Sequence, residues 1–466
     1  KWAMQADVER TAERVAERVA LSKTGFPSGF LWGMATAAYQ IEGAARIWGK
    51  GESVWDRFTQ TPGAILDGTT GETACDHHAR WREDLNLLAD LHANAYRCSV
   101  AWTRLFPTGR GKLNPLGMDF YEQLVDGLLT RNIAPFVTLY HWDLPQALQD
   151  RGGWANRDTA AYFADYVYAV ASRLGDRVAG WVTLNEPYYV VYDGYVSGTK
   201  APGVRRPDLA GTTAHHLLLA HGLGAQALRA TSGAPVGIAL NVAAVEPASD
   251  READLRAAAT YDGLWHRWFL DPLFLGRYPA DVAPLVALPE TVAQAGDLER
   301  IAAPLDFLGV NYYTRAVVAA GRQGPSHPVV VKPRGERTSM GWEVYPQGLR
   351  EVLERLHREY APPALYVTEN GAAYRDHVTA KGTVLDPERV GYLRRHFVAA
   401  REALATGVPL RGYFVWSLLD NFEWSYGYTQ RFGLAYTDFT TQQRTVKQSG
   451  TFFARVAATN GGALEA

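Results

Sequence analysis

The stretch VAGWVTLNEP, residues 178–187, is an apolar run that ends in Asn185 and Glu186. Its apolar residues are nearly continuous, as they are in a strand buried on both faces of a parallel sheet. A polar pair directly after such a strand lies at the carboxyl edge of the sheet, where α/β proteins bind their ligands. The stretch therefore predicts a parallel α/β fold with a polar site at the strand ends.

The same pattern of apolar run, polar end, loop and helical segment recurs along the chain. Eight such runs occupy residues 30–39, 95–102, 135–141, 178–185, 236–245, 307–313, 364–369 and 412–418. Helical periodicity lies between them at residues 81–91, 117–130, 159–174, 212–229, 350–359 and 387–406. Eight alternating units predict an α/β fold of one (β/α)8 TIM barrel, with its site at the carboxyl ends of the strands.

Three connections are long for such a barrel: residues 48–73, 188–207 and 316–342. Long loops on one rim wall a pocket rather than form a second domain. We therefore expect a single catalytic domain over residues 26–466. Before it we expect an N-terminal extension, residues 1–25, whose residues before Met4 read as a remnant of cloning.

The composition of the 466-residue chain excludes several classes of function. Hydrophobic residues make up 47% of it, aromatic residues 12%, and the formal net charge is −2. Without a basic excess, nucleic acid is not an expected partner, and no apolar run is long enough to span a membrane. Because the N-terminus lacks an apolar signal core, we expect a cytoplasmic protein. The oligomeric state stays open.

The sequence predicts neither a metal nor a cofactor. Cys75 and Cys98, the two cysteines, form no CxxC pair that would indicate a zinc ribbon or a redox motif. Glycine-rich loops of the dinucleotide-binding or Walker type are also absent from the sequence. We therefore expect a reaction that side chains alone carry out.

A second carboxylic acid ends another apolar run, because residues 364–369 finish in Thr368 and Glu369. In an eight-stranded barrel the fourth and seventh strands face each other across the mouth, so Glu186 and Glu369 would converge on one pocket. A single glutamate at a strand end is more often a helix cap or an ion-pair partner. Two converging carboxyls are what cleavage of a glycosidic bond requires.

The segments around these two glutamates resemble the active-site signatures of glycoside hydrolase family 1, retaining β-glycosidases on a (β/α)8 barrel that are typified by β-glucosidases. The resemblance extends over residues 26–453. Its other matching segments are FLWG at 30–33, ATAAYQIEG at 35–43, YHWDLP at 140–145, NYY at 311–313 and WSLLDNFEW at 416–424. Because these matches occur in order along nearly the whole chain, coincidence is a poor explanation for them.

The resemblance implies that Glu186 is the general acid/base and Glu369 the nucleophile of a double displacement through a covalent glycosyl-enzyme. An acid that works near neutral pH needs a pKa raised toward about 6–7, and an anionic Glu369 would help to raise it. A retaining pair implies carboxyls about 5–5.5 Å apart, against about 6.5–9.5 Å for inversion. Arg97 and Tyr313 match the residues that support the nucleophile.

The other matched positions imply a sugar pocket. Hydroxyl groups enter a dry pocket where polar side chains replace their water, and an indole face packs on the apolar face of a pyranose. The implied substrate-binding residues are Gln40, His141, Trp142, Asn185, Asn311, Tyr313, Trp416, Glu423 and Trp424, with Trp342 and Phe432 on the aglycone side. Tyr189, Tyr192 and Tyr195 follow at a spacing of three, and we interpret them as a helix face rather than a pocket entrance.

The implied function is that of an exo-acting β-glucosidase of carbohydrate metabolism and cellulose degradation. Its substrates would be small and neutral: cello-oligosaccharides cleaved at the non-reducing end, or aryl and alkyl β-glucosides. β-Galactosides, β-fucosides and transglycosylation stay open.

Four alternatives are weaker. A 6-phospho-β-glycosidase would carry a small residue where Glu423 repels a phosphate dianion. A thioglucosidase would carry Gln in place of Glu186, and a non-catalytic sugar-binding barrel would typically lose one of the two carboxyls. A phosphate-handling isomerase would need the phosphate loop that is missing.

Overall fold

The computed structural model describes residues 25–332 and 334–465. Within these ranges, eight parallel strands close into a barrel: β1 (Leu31–Ala35), β2 (Ala95–Ser99), β3 (Ala134–Tyr140), β4 (Gly180–Asn185), β5 (Val236–Asn241), β6 (Phe307–Asn311), β7 (Leu365–Asn370) and β8 (Leu410–Trp416). Successive strands are neighbours, and β8 pairs with β1 to complete the ring. The predicted (β/α)8 barrel is confirmed, since each predicted run overlaps one strand of the barrel.

Helices cover the outside of the barrel. The longer ones are His77–Asp90, Pro115–Leu129, Asp158–Leu174, Ala210–Thr231, Glu252–Asp262, Trp268–Leu275, Pro346–Tyr360, Pro387–Ala405 and Gln448–Ala458. Short helices are Ala38–Ile41, Val54–Phe58, Trp102–Leu105, Gln146–Gln149, Pro187–Tyr189, Ala283–Val286 and Asp297–Ile301. All six predicted helical segments overlap a long helix and are confirmed. In the parts of the chain that the structure describes, no helix is long and apolar enough to cross a membrane.

One predicted loop contains a sheet. Within residues 316–342, expected to be irregular, strands Arg315–Gly321 and Gly324–Val330 form an antiparallel pair, and Ala244–Pro247 adds a third strand in parallel. Pro325 and Pro328 made this segment read as a loop, but proline is tolerated on an edge strand. A smaller pair joins Ala435–Thr437 to Arg444–Val446. The predicted N-terminal extension, residues 1–25, lies outside the described residues except for Gly25.

Aromatic rings fill the amino-terminal part of the barrel. Neighbouring rings there, with centroids 5.1–6.2 Å apart, are Phe136, Phe307, Tyr366 and Phe414. Two strand glycines make room for them. A Cβ at Gly180 would lie 2.5 Å from the Phe136 ring, and one at Gly237 would lie 2.4 Å from the Phe307 ring. This part of the barrel is therefore a packed core and not a channel.

The two strands that lead to the carboxyls both have irregular pairing near their carboxyl ends. β4 pairs with β5 through Val182, and pairing then resumes with a shifted register at Asn185. β7 pairs with β6 through Val367 and resumes with a shifted register at Glu369. Such irregularities re-aim side chains and are common beside active sites. Along the barrel, β4 and β7 are three places apart.

Candidate active site

A cavity of about 510 Å³ lies at the carboxyl ends of the strands. Ten of the predicted site residues line it: His141, Trp142, Glu186, Tyr313, Trp342, Glu369, Trp416, Glu423, Trp424 and Phe432. The other four are buried and bond to this lining or to the segment that carries it: Gln40, Arg97, Asn185 and Asn311. The structure therefore brings the whole predicted set together at one place.

The Glu369 carboxylate is held by one cation and one phenol. Arg97 Nη1 donates to Oε1 at 2.7 Å, and the Tyr313 hydroxyl donates to Oε2 at 2.7 Å. Arg97 has no exposed surface, and its other N–H groups donate to Thr138 and Asn185. Because both of its oxygens are engaged, the Glu369 carboxyl is fixed in orientation.

A chain of amides connects Glu369 to the rest of the cavity. Asn185 Oδ1 accepts from Arg97 Nη2 at 2.6 Å and from Asn311 Nδ2 at 3.0 Å. Thr368 in turn donates to Asn311 Oδ1 at 2.7 Å. Since the oxygen of Asn185 is occupied by two donors, its Nδ2 group is the end that points to His141 Nε2, 3.0 Å away. The amide orientations are therefore set by the protein.

Glu186 follows β4 in the left-handed region, with φ 46° and ψ 60°. A residue other than glycine costs about 1 kcal/mol or more in this region, and such strain concentrates at functional sites. Trp142 and Trp424, with φ of 78° and 50°, share this backbone conformation and line the same cavity. Three residues at the mouth of the barrel thus have a positive φ, which residues other than glycine rarely adopt.

The two carboxyls differ in basicity. Burial raises the pKa of Glu186 to about 8, and the negative charge of Glu369 acts in the same direction. Burial also raises the pKa of Glu369, but the Arg97 charge and the Tyr313 hydroxyl oppose that rise. Because the two sites are coupled, the pair loses its first proton from the carboxyl with the cation. Of the two, Glu369 therefore holds a negative charge more readily, and Glu186 holds its proton more readily.

Three buried polar atoms around the cavity have no hydrogen-bond partner within the described part of the chain: Gln40 Oε1, His141 Nδ1 and Glu423 Oε2. Gln40 uses its Nε2 to donate to Asn421 at 3.0 Å and to the Phe422 carbonyl at 2.9 Å, so its free atom is an acceptor. Unpaired buried polar atoms are destabilising and mark positions where a ligand can bond.

Burial lowers the pKa of His141 well below its usual value, so the ring is neutral. Its Nε2 accepts from Asn185, which places the proton on the unpaired Nδ1. Burial raises the pKa of Glu423 to about 7, against the charge of Lys200. An acceptor, a donor and a carboxyl therefore lie at or just behind the lining of the cavity, the set that adjacent hydroxyl groups can satisfy.

Aromatic rings form two walls. On one side Trp142 lies 4.7 Å from Trp424 between ring centroids, and His141 lies 5.8 Å from Trp416. On the other side Trp342, Tyr313 and Phe432 lie 5.2–6.2 Å from one another. Such surfaces suit a ligand with an apolar face and polar edges.

Several lining residues were missed by sequence reasoning: Gly63, Ala64, Leu66, Asp193, Thr199, Lys200, Met340, Ser425 and Tyr426. The first six come from the predicted long loops 48–73 and 188–207, which do wall a pocket. Loop length located the segments but carried no signal for the individual side chains.

The interpretation of Tyr189 as a mere helix face was wrong, because it lines the cavity. Tyr195 packs inward and donates to Gln149.

In residues 25–332 and 334–465, no group of three or more His, Cys, Asp or Glu side chains is arranged to hold a metal ion. The polar groups of the site bond to one another, apart from the three unpaired atoms of Gln40, His141 and Glu423 beside the cavity. Paired carboxyls of unequal basicity in the mouth of a barrel are the working parts of a glycoside hydrolase.

Comparison with known proteins identifies the kind of hydrolase. The family model "Glycosyl hydrolase family 1" matches residues 22–462. The 1,4-beta-D-glucan glucohydrolase of Thermotoga neapolitana is 45% identical over 94% of this chain and 99% of its own. The bifunctional beta-D-glucosidase/beta-D-fucosidase of Bifidobacterium breve is 43% identical over 93% and 98%.

A solved structure of beta-glucosidase from Thermotoga maritima in complex with glucoimidazole has the same fold. It matches with a TM-score of 0.92 and 44% identity, over 94% of this chain and all of the other. The chain therefore belongs to glycosyl hydrolase family 1. It is an enzyme of the β-glucosidase type, a retaining hydrolase of O-glycosyl bonds.

Proposed function

We propose that this chain is an exo-acting β-glucosidase that works by double displacement, with Glu369 as nucleophile and Glu186 as general acid/base. The observation that carries the proposal is the unequal environment of the two carboxyls. Glu369 has a cation and a phenol to hold its charge, whereas Glu186 has burial and a neighbouring anion to hold its proton.

In the first step a Glu369 carboxylate oxygen attacks the anomeric carbon. Glu186 donates its proton to the glycosidic oxygen, so the aglycone leaves as an alcohol and the sugar remains as an ester of Glu369. Esterification removes the negative charge that helped to raise the pKa of Glu186. Glu186, which has given its proton to the aglycone, therefore has a lower pKa than before and stays a carboxylate until it acts as the base.

In the second step Glu186 takes a proton from water, and the water oxygen attacks the anomeric carbon from the face that the aglycone left. The ester bond to Glu369 breaks, and the sugar leaves with its original β configuration. An acceptor alcohol in place of water would give transglycosylation. The separation of about 5–5.5 Å between the two carboxyls stays a prediction of this mechanism.

The sugar would be held by the unpaired groups of Gln40, His141 and Glu423, stacked on Trp416. Asn185 and Trp424 would add hydrogen bonds, those of Asn185 to the 2-hydroxyl strengthening at the transition state. Asn311 would hold Asn185, to which it donates at 3.0 Å. Trp142 would flank the sugar, while Trp342 and Phe432 would contact the aglycone.

The substrates would be cello-oligosaccharides, cleaved at the non-reducing end, and aryl or alkyl β-glucosides. The name of the Thermotoga neapolitana relative supports glucan chains, and that of the Bifidobacterium breve relative supports β-fucosides beside β-glucosides. β-Galactosides are a further candidate, because the same acceptor, donor and carboxyl can bond either epimer. Phosphorylated sugars are disfavoured, since the Glu423 carboxyl in the cavity wall would repel a phosphate dianion.

The stereochemistry of the first product tests the mechanism. Wild-type enzyme acting on an aryl β-glucoside is expected to release β-glucose as its first product. Proton NMR, recorded before mutarotation, identifies this anomer. Release of α-glucose would overturn the double displacement. A panel of β-glucoside, β-galactoside, β-fucoside, 6-phospho-β-glucoside and cellobiose then ranks the substrates, and a preference for the phosphorylated sugar would overturn the assignment of Glu423.

A further inference from the structure

A lysine lies in the wall of the cavity, on the rim segment 188–207. Lys200 Nζ is 3.1 Å from Asp193 Oδ2, 4.0 Å from the centre of the Tyr189 ring and 4.9 Å from the centre of the Trp142 ring. Its side chain keeps 20% of its accessible surface. An ion pair and two aromatic faces therefore hold the ammonium group in place.

These contacts place the charge beside the two segments that carry Glu186 and Glu423. Tyr189 belongs to the short helix that begins directly after Glu186. Trp142 packs against Trp424, the residue after Glu423. Among the described residues that line the cavity, Lys200 alone carries a positive charge, since His141 is neutral and Arg97 lies behind Glu369.

We propose that Lys200 is a positioning residue of this site, whose fixed ammonium group sets the electrostatic potential on the acid/base side of the cavity. The proposal rests on the function proposed above, in which Glu186 must be protonated in the first step. Its charge lowers the pKa of Glu186 and of Glu423, against the effect of burial. Lys200 thereby limits how far burial raises the basicity of both groups.

The other charged and titratable groups that influence the pKa of Glu186 belong to several different secondary-structure elements. Glu369 on β7 raises the pKa of Glu186, and Arg97 on β2 lowers it. Tyr189 and Tyr313 are partly buried phenols that stay neutral, because burial raises their pKa well above the usual value. Asp193 pairs with Lys200 at 3.1 Å, and its negative charge is expected to oppose the effect of Lys200. Lys200 and Asp193 are thus two opposite charges that can be removed separately.

The experiment measures kcat/KM against pH for the hydrolysis of an aryl β-glucoside. Lys200→Met removes the cation, so the alkaline limb, which reports loss of the Glu186 proton, is expected to move up by about half a pH unit. Asp193→Asn removes the opposing anion, so the same limb is expected to move down. Lys200→Arg keeps the charge and is expected to restore the wild-type limb.

Lys112→Met, at an exposed lysine outside the cavity lining, is the matched control for net charge and is expected to leave both limbs in place. Equal limbs in wild type and Lys200→Met, or a shift of the same size in Lys112→Met, would overturn the proposal. A uniform loss of activity at every pH would overturn it too, because that is the effect of lost packing. Failure of the proposed function is seen separately, as a wild type without β-glucosidase activity or an unimpaired Glu186→Gln variant.

Discussion

The two ends of the barrel are both rich in aromatic rings, but the rings are packed in opposite ways. At the amino-terminal end, Phe136 and Phe307 press into space that Gly180 and Gly237 leave open. At the carboxyl-terminal end, the rings of Trp416 and others border a cavity of about 510 Å³. One end is filled by its own side chains, and the other is shaped to be filled by a ligand.

The difference also extends to polar groups and backbone. The amino-terminal rings meet other rings, whereas the carboxyl-terminal cavity has unpaired atoms of Gln40, His141 and Glu423 beside it. Each unpaired buried group costs about 1–3 kcal/mol, and the left-handed backbone of Glu186 adds to that cost. The contrast indicates that the amino-terminal end contributes to the stability of the fold, whereas the carboxyl-terminal end contains destabilising features that serve the site.

Replacing Glu369, the proposed nucleophile, should have the largest effect at the carboxyl-terminal end. We expect Glu369→Ala to lower kcat/KM on an aryl β-glucoside by about 10⁴-fold or more, because no covalent intermediate can form. The fold should persist, since Arg97 keeps Asn185 and Thr138 as partners. Activity assays with circular dichroism check this. Glu402→Ala, at an exposed helix position, is the control, and full activity in Glu369→Ala would refute the assignment.

Removing a ring from the packed amino-terminal end should lower stability and leave activity nearly unchanged. Phe136→Ala deletes a buried ring that contacts three others, so we expect the free energy of unfolding to fall by about 3–5 kcal/mol. The kcat/KM of the folded enzyme should change little. Denaturant titration and assays at low temperature measure the two quantities. A folded Phe136→Ala that had lost its activity would show that the two ends are not separate.

The pH dependence should sharpen the role of Glu186. In the proposed mechanism activity requires the proton of Glu186, so kcat/KM should fall as the pH rises through about 8, by about fifty-fold between pH 8 and pH 10. Glu186→Gln should abolish this alkaline limb, with its largest rate loss on substrates whose leaving group needs protonation. Steady-state kinetics on one activated and one poor leaving group measure both effects. An alkaline limb that survives in Glu186→Gln would belong to another group.

The smallest expected effect tests the close packing of the amino-terminal end. Gly237→Ala places a methyl group 2.4 Å from the Phe307 ring, so we expect the free energy of unfolding to fall by about 1–3 kcal/mol. Gly391→Ala is the matched control, because a Cβ there meets nothing within 4 Å and lies inside a helix. It should stabilise the protein by about 0.5–1 kcal/mol. Equal effects in both variants would contradict the packing argument.

The barrel was predictable because its strands are buried on both faces and so read as apolar runs. The runs at residues 178–185 and 364–369 also located the two carboxyls, since a strand end has a defined place in this fold. The sheet that includes Arg315–Gly321 was not predictable, because its edge strand contains Pro325 and Pro328. Periodicity carries no information about an exposed strand of this kind.

Sequence alone determined the barrel, the pair of glutamates and the family resemblance, because these depend on local patterns and on motifs in order. The resemblance implied which carboxyl is the acid, but only the tertiary structure gave the physical cause, because that cause lies in the contacts of Arg97 and Tyr313 with Glu369, from which both are distant in sequence. Tertiary structure also placed Lys200, a rim residue, where its charge acts on Glu186 and Glu423. Electrostatic interactions act through space, and no sequence pattern records the distances.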